Sequence, residues 1–323
     1  MRIKIALAAI GLCLYGLLGP AQAAVDSQAS AICMECHQDD DWQKMSRTAH
    51  AVTADSRTPT CVTCHGASDA HANHKRGQGK QPKPDRLFHA KTTLPATEAS
   101  AVCQTCHDKD PKRALWAGSR HQTEDVACNA CHKVHVERDK VLARPTQPEV
   151  CYNCHKEQRA QVTRQSRHPI LEGKMACSDC HNVHGSVGPK LVKRDSTNDT
   201  CYTCHAEKRG PFVHPHDPVQ QDCSHCHNPH GSNIVGMLVA RPPMLCQQCH
   251  TPHVAGGVGA LGGQPGVFPP AAPGQSTSAV TGTSSGKNVV NIWQARSCSN
   301  CHTQVHGSNN PSATNPTPQY QFR

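Results

Sequence analysis

The sequence predicts a mostly irregular chain with short α-helices and no β-sheet, arranged as an elongated array of five repeated units. Three observations predict it. Cys-x-x-Cys-His occurs ten times. Histidines outside that motif recur at fixed offsets from it. Large apolar side chains are too scarce for an ordinary core: aromatics are 3% and hydrophobics 36% of 323 residues, against 23 Gly and 24 Pro. Cys-x-x-Cys-His is the attachment signature of c-type haem. The predicted fold is therefore that of a multihaem c-type cytochrome, cored by its haems and wrapped by polypeptide.

Twenty of the 21 cysteines belong to the motifs. They pair as Cys33 and Cys36, Cys61 and Cys64, Cys103 and Cys106, Cys128 and Cys131, Cys151 and Cys154, Cys177 and Cys180, Cys201 and Cys204, Cys223 and Cys226, Cys246 and Cys249, and Cys298 and Cys301. Two thiols three residues apart lie on one side of a helical turn and can add to the two vinyl groups of one haem. The histidine that follows then reaches the iron. The expected proximal ligands are His37, His65, His107, His132, His155, His181, His205, His227, His250 and His302. Structural disulfides, Cys₄ zinc sites or a thioredoxin-like pair would leave a histidine after every cysteine pair unexplained.

Fourteen histidines remain, and they expose an internal repeat. One unit reads: a motif, a His 15 to 18 residues after its first Cys, a second motif, and a His shortly after. The copies run Cys33, His50, Cys61, His71; Cys103, His121, Cys128, His135; Cys151, His168, Cys177, His184; and Cys201, His216, Cys223, His230. The fifth starts at Cys246, has His253 three residues past His250, and places its second motif at Cys298, followed by His306. The expected distal ligands are His50, His71, His121, His135, His168, His184, His216, His230, His253 and His306. His216 is preferred to His214 because His121 and His216 both precede the next motif by seven residues. Spacing does not separate His71 from His74; His89 fits no unit, and His225 lies inside its own motif. A His three residues past a proximal His is expected to serve a neighbouring iron. Methionine is the alternative ligand, but Met34, Met45, Met175, Met237 and Met244 keep no common offset, so bis-His coordination and low potentials are expected.

The remaining chain has a definite expected organisation. Residues 1–23 read as a secretory signal peptide, with Arg2 and Lys4, an apolar run too short to span a bilayer, and Ala21-Gln22-Ala23 as the cleavage site. Cys13 falls within that run. Residues 24–99 carry haems 1 and 2, residues 100–253 haems 3 to 9, and residues 298–308 haem 10. A Gly/Pro/Ser-rich insert occupies 254–297 and a flexible tail 309–323. A short helix is expected from Glu157 to Gln165, ending before His168-Pro169. The formal charge of +9 invites a nucleic-acid reading, but up to twenty haem propionates reverse it, and no basic run interleaved with aromatics is present. An enzyme would need an iron with an open position, and all ten motifs end in histidine with ligands to spare.

Six stretches carry a family resemblance: ACNACHKVH at 127–135, CSDCHNVHG at 177–185, NDTCYTCHAEKRGP at 198–211, CSHCHNPHGS at 223–232, LCQQCH at 245–250 and CHTQVHGSN at 301–309. They resemble the MtrA/DmsE family of periplasmic decahaem cytochromes, which includes the iron-oxidising MtoA and PioA types. The Pro-rich insert before the last motif departs from that family. The resemblance implies ten covalent haems in a wire inside an outer-membrane β-barrel porin. It also implies periplasmic or inner-membrane electron-carrier cytochromes on one side, and an outer-surface cytochrome or extracellular metal on the other. The implied location is the periplasm, in association with the outer membrane. A soluble periplasmic shuttle feeding a terminal reductase is the second reading. The direction of flow, iron oxidation or metal reduction, is not written in the sequence.

Overall fold

The computed structural model describes residues 30–38, 44–51, 57–75, 77–89, 94–250, 298–300 and 302–309. The leader at 1–23, the insert at 254–297, His253, Cys301 and all but the first residue of the expected tail lie outside the described residues. The chain divides into two compact units, Met1–Val150 and Cys151–Arg323. The divide falls at Cys151, the first cysteine of the third copy.

Each haem motif folds as one helical turn. In eight motifs the amide of the histidine donates to the carbonyl of the first cysteine at 2.9–3.0 Å. The other two lie in α-helices, Cys61–His65 and the last turn of Ala96–His107. Local chemistry starts these turns. Thr60 caps Cys61–His65 by accepting from the Thr63 amide, and Asp222 accepts from the Ser224 amide at 2.7 Å. The i to i+4 bond puts both thiols on the same side of the turn, which the spacing requires.

The two motifs of a copy are clipped together by a polar residue three positions before the first cysteine. The amide of Cys61 donates to Ser30 Oγ at 3.2 Å, that of Cys128 to Ser100 Oγ at 3.3 Å, and that of Cys223 to Asn198 Oδ1 at 2.7 Å. Ser100 and Asn198 are buried, so each bond also satisfies a group that would be costly to leave bare. Copies three and five have Pro148 and Pro243 at this position, and proline has no side-chain acceptor.

In the second unit the chain returns after the second motif of copies three and four. His181 bridges Val192 and His227 bridges Leu238, both antiparallel and both eleven residues on. The expectation of no β-sheet needs one correction. Two-residue strands β1 (His214–Pro215) and β2 (Gly307–Ser308) pair antiparallel, with His214 opposite Ser308. A distant segment, not a local alternation of side chains, creates this pair. The helix expected over residues 157–165 is also shorter, Lys156–Gln161. The chain leaves it to bridge Ser166 to Ser232, exchanging amide and carbonyl bonds at 3.0 and 2.8 Å.

Among the described residues the buried hydrophobic side chains are Ala99, Trp116, Tyr152, Val162, Ala176 and Val192, and of these Val162 alone is a large side chain below 2% exposure. That is far below what close-packed interiors of this chain length contain. The scarcity read from composition holds in three dimensions. No helix among the described residues is long and apolar enough to cross a membrane.

Candidate haem-binding site

The histidine rings come together in pairs of one proximal and one distal candidate. Centroids lie 6.1 Å apart for His37 and His71, 6.1 Å for His50 and His107, and 6.0 Å for His65 and His135. In the second unit they lie 6.2 Å apart for His168 and His205, 6.1 Å for His181 and His230, 5.9 Å for His216 and His250, and 6.1 Å for His227 and His306. This narrow range has a physical meaning. A first-row metal binds imidazole nitrogen at about 2.0–2.1 Å and the ring centre lies roughly 1 Å further out, so two rings on opposite sides of one iron sit roughly 6 Å apart.

In six of the seven pairs the partners come from different repeats. His37 meets His71 of its own copy. Thereafter the first-motif histidines His107, His205 and His250 meet the internal histidine of the preceding copy, His50, His168 and His216. The second-motif histidines His65, His181 and His227 meet the trailing histidine of the following copy, His135, His230 and His306. His135 and His230, each three residues past a proximal histidine, thus face a different motif from their own. His121 lies in the helix Arg120–Thr123 and His184 follows the helix Cys177–Cys180. His216, not His214, faces His250. His214 lies in β1 with its Nε2 buried and without a hydrogen-bond partner. His71, not His74, faces His37; the Nε2 of His74 sits 3.3 Å from the Gly79 carbonyl.

Hydrogen bonds set the ring tautomers. The Nδ1 of His65, His181 and His227 lies 3.0, 3.0 and 2.7 Å from the carbonyls of Arg86, Lys190 and Gly236. The Nδ1 of His71, His168 and His216 lies 2.8 Å from the carbonyls of Pro82, Pro229 and Val305. A carbonyl only accepts, so each Nδ1 carries the proton and each Nε2 keeps a free lone pair. That is the arrangement expected around metal-bound histidine. His132 is the variation: its Nδ1 lies 2.8 Å from the carboxylate of Asp139. Burial, more than any neighbour, pushes the imidazoles of His50, His181, His230 and His306 down, favouring the neutral form that binds metal.

The cysteines show the same pairing of motifs. The first cysteines of the two motifs in each copy are within hydrogen-bond reach: Cys33 and Cys61, Cys103 and Cys128, Cys151 and Cys177, Cys201 and Cys223, Cys246 and Cys298. Between copies the second cysteine of one copy lies near both cysteines of the next copy's first motif: Cys64 near Cys103 and Cys106, Cys180 near Cys201 and Cys204, and Cys226 near Cys246 and Cys249. The thiol of Cys103 is pushed up and that of Cys128 down to about 5, both chiefly by the bond they share. No cluster of three or more metal-ligating side chains occurs among the described residues. A metal held by two imidazoles needs its other ligands from elsewhere, and a porphyrin beside each thiol pair supplies four. The donor set therefore fits haem c.

Comparison with known proteins agrees. A family described as the doubled CXXCH motif matches residues 168–210 and 216–255, and one described as cytochrome c-type protein NrfB-like matches residues 61–147. The chain is 41% identical over 288 residues to the multihaem cytochrome MtrA of Shewanella baltica (strain OS185), covering 87% of this chain and 78% of that protein. The chain belongs to the MtrA family of multihaem cytochromes. Its Cys-x-x-Cys-His motifs bind haem c covalently, and a multihaem cytochrome of this type is an electron carrier, not an enzyme.

The sequence motifs name the candidate cysteines and proximal histidines, but not the acceptors at Nδ1. Most of those are backbone carbonyls, which leave no residue-type signal. Asp139 is the exception. It stands where the third and fourth copies carry Gly188 and Ile234, and an alignment of the copies marks it.

Proposed function

We propose that the chain binds ten haem c groups, each with two axial histidines, and conducts electrons across the outer membrane inside a β-barrel porin. The observation that carries this reading is the set of seven proximal–distal ring pairs about 6 Å apart, six of which contain a ring whose Nδ1 proton is committed to a backbone carbonyl. The seven ring pairs would supply the two histidine ligands of seven irons. Of the ten distal ligands expected from the repeat, His121, His184 and His253 would serve the irons of His132, His155 and His302.

Haem c bound at these cysteines and histidines would supply iron able to cycle between ferrous and ferric states, so that electrons could pass between closely spaced groups. The chain's own residues set that spacing. Approaching first cysteines would hold the two haems of a copy together, and inside each compact unit the second cysteine of one copy lies against the first motif of the next. Inside each compact unit, histidines shared between copies would make one copy depend on the next for coordination. Two nitrogen ligands at every iron leave no open position for a substrate, which fits a relay.

Membership of the MtrA family supports the periplasm, in association with the outer membrane, as the location. A polar, haem-cored chain cannot face lipid, because bare backbone groups there are too costly, so a path through the membrane needs a protein sheath. Periplasmic or inner-membrane cytochromes would serve at one end, and an outer-surface cytochrome or extracellular metal at the other. The same residues serve iron oxidation and metal reduction alike.

Intact mass after acid-acetone extraction tests the count: the matured protein should carry ten haem additions, and nine or fewer would contradict it. Low-temperature EPR and near-infrared magnetic circular dichroism test the ligands. Low-spin bis-His ferric haem alone is expected. A His–Met charge-transfer band or a high-spin signal would contradict it.

A further inference from the structure

We propose that Asp139 sets the potential of the haem at Cys128, Cys131 and His132, holding it below the haems at the same repeat position in the third and fourth copies. The inference rests on the reading of His132 as an iron ligand.

The repeats supply an internal comparison. In copies three and four the loop after the second motif turns back, and a residue nine positions past the proximal histidine presents its carbonyl to Nδ1. Lys190 and Gly236 occupy that position, and both have positive φ, 52° and 76°. In copy two the loop is closed differently. Asp139, seven positions past His132, directs Oδ2 to the Nδ1 of His132 at 2.8 Å. Its Oδ1 accepts from the Val141 amide at 3.4 Å and caps the short helix Lys140–Leu142. The Asp139 side chain is 11% exposed and the His132 side chain 35%, so water screens the contact only in part.

A carboxylate is a stronger acceptor than a peptide carbonyl. It draws the Nδ1 proton, makes Nε2 a better electron donor and so favours the ferric iron over the ferrous. A neutral carbonyl at the same nitrogen does this less. The haem of His132 would therefore receive an electron at lower potential because of one side chain, with no change in its ligands.

Asp139→Asn tests this without removing the cap, since Asn caps helices as well as Asp and its amide oxygen can still accept from Nδ1. The wild-type holoprotein is first shown to carry haem at Cys128 and Cys131 by mass spectrometry of haem peptides. Absence of haem there would end the ligand reading itself. With haem present, spectroelectrochemical titration of Asp139→Asn should move about one tenth of the total amplitude to higher potential. Its low-spin EPR should change for one haem only, in the direction of a weaker axial donor. Asp139→Ser, which also caps and is too short to reach the ring, should move the same fraction in the same direction. Titrations of both variants that superimpose on wild type would overturn the proposal. So would a wild-type curve for Asn with a shift for Ser alone, because Asp139 would then orient the ring without setting its potential.

Discussion

Replacing His216 by alanine should convert one haem to the high-spin, five-coordinate state, while His214→Ala leaves every haem low-spin. The His216 ring lies 5.9 Å from that of His250 with 27° between the planes. Its Nδ1, 2.8 Å from the Val305 carbonyl, turns Nε2 to the shared axis. Alanine removes the sixth ligand, and no other described ring is paired with His250. High-spin ferric EPR intensity should account for about one tenth of the haem, and the reduced protein should bind carbon monoxide at that iron. His214 is the demanding control, because its Nε2 is buried with no hydrogen-bond partner and such an atom invites a ligand role. High-spin haem from His214→Ala and none from His216→Ala would reverse the assignment at this copy.

Gly231→Val should have the second large effect, at the iron of His181. Gly231 has φ +131°, and a Cβ there would lie 2.5 Å from the Gln161 carbonyl oxygen and 3.2 Å from Arg167 Cβ and the Ser166 carbonyl oxygen. The backbone must therefore move, and it carries His230, whose ring stacks at 6.1 Å on His181. Gly185 and Gly307, which also follow trailing histidines, have φ of 125° and 135°, so the conformation belongs to the repeat. A non-glycine residue in so strained a region costs about 1–3 kcal/mol before the collision is counted. Gly231→Val should lower the thermal midpoint and produce one high-spin haem. Gly79→Ala is the matched control. Its φ is +90° but nothing lies within 4 Å of the added carbon, so it should cost only the backbone strain of about 1–3 kcal/mol and leave every haem low-spin. A low-spin Gly231→Val protein of normal stability would contradict this account of the trailing loop.

Different parts of this structure reach the sequence through different channels. The haem motif is a covalent requirement, so Cys128, Cys131 and His132 are legible at sight, as are all their counterparts. The two-haem unit is legible from the offsets of His121 and His216, and it reappears as five contacts between first cysteines. Composition announced the near absence of an apolar core, and Val162 stands almost by itself inside. Which ring meets which was not legible, because His50 and His107 belong to different copies and no spacing rule links them. The acceptors Arg86, Lys190 and Gly236 act through backbone carbonyls, and any residue type can supply one. The pairing of His214–Pro215 with Gly307–Ser308 was hidden for the same reason: it joins segments some ninety residues apart without an alternating pattern in either. The helix beginning at Lys156 was read too long because propensity carried it past Gln161, where the tertiary bridge of Ser166 to Ser232 wins.

The cytochrome should carry electrons through a membrane only when sheathed by a porin. Liposomes with a reduced dye sealed inside and ferric citrate outside test it directly. Cytochrome and barrel together should oxidise the dye, and either component without the other should not. A pair that stays inactive, while the dissolved cytochrome readily reduces a periplasmic reductase, would contradict the conduit and establish a soluble shuttle in its place.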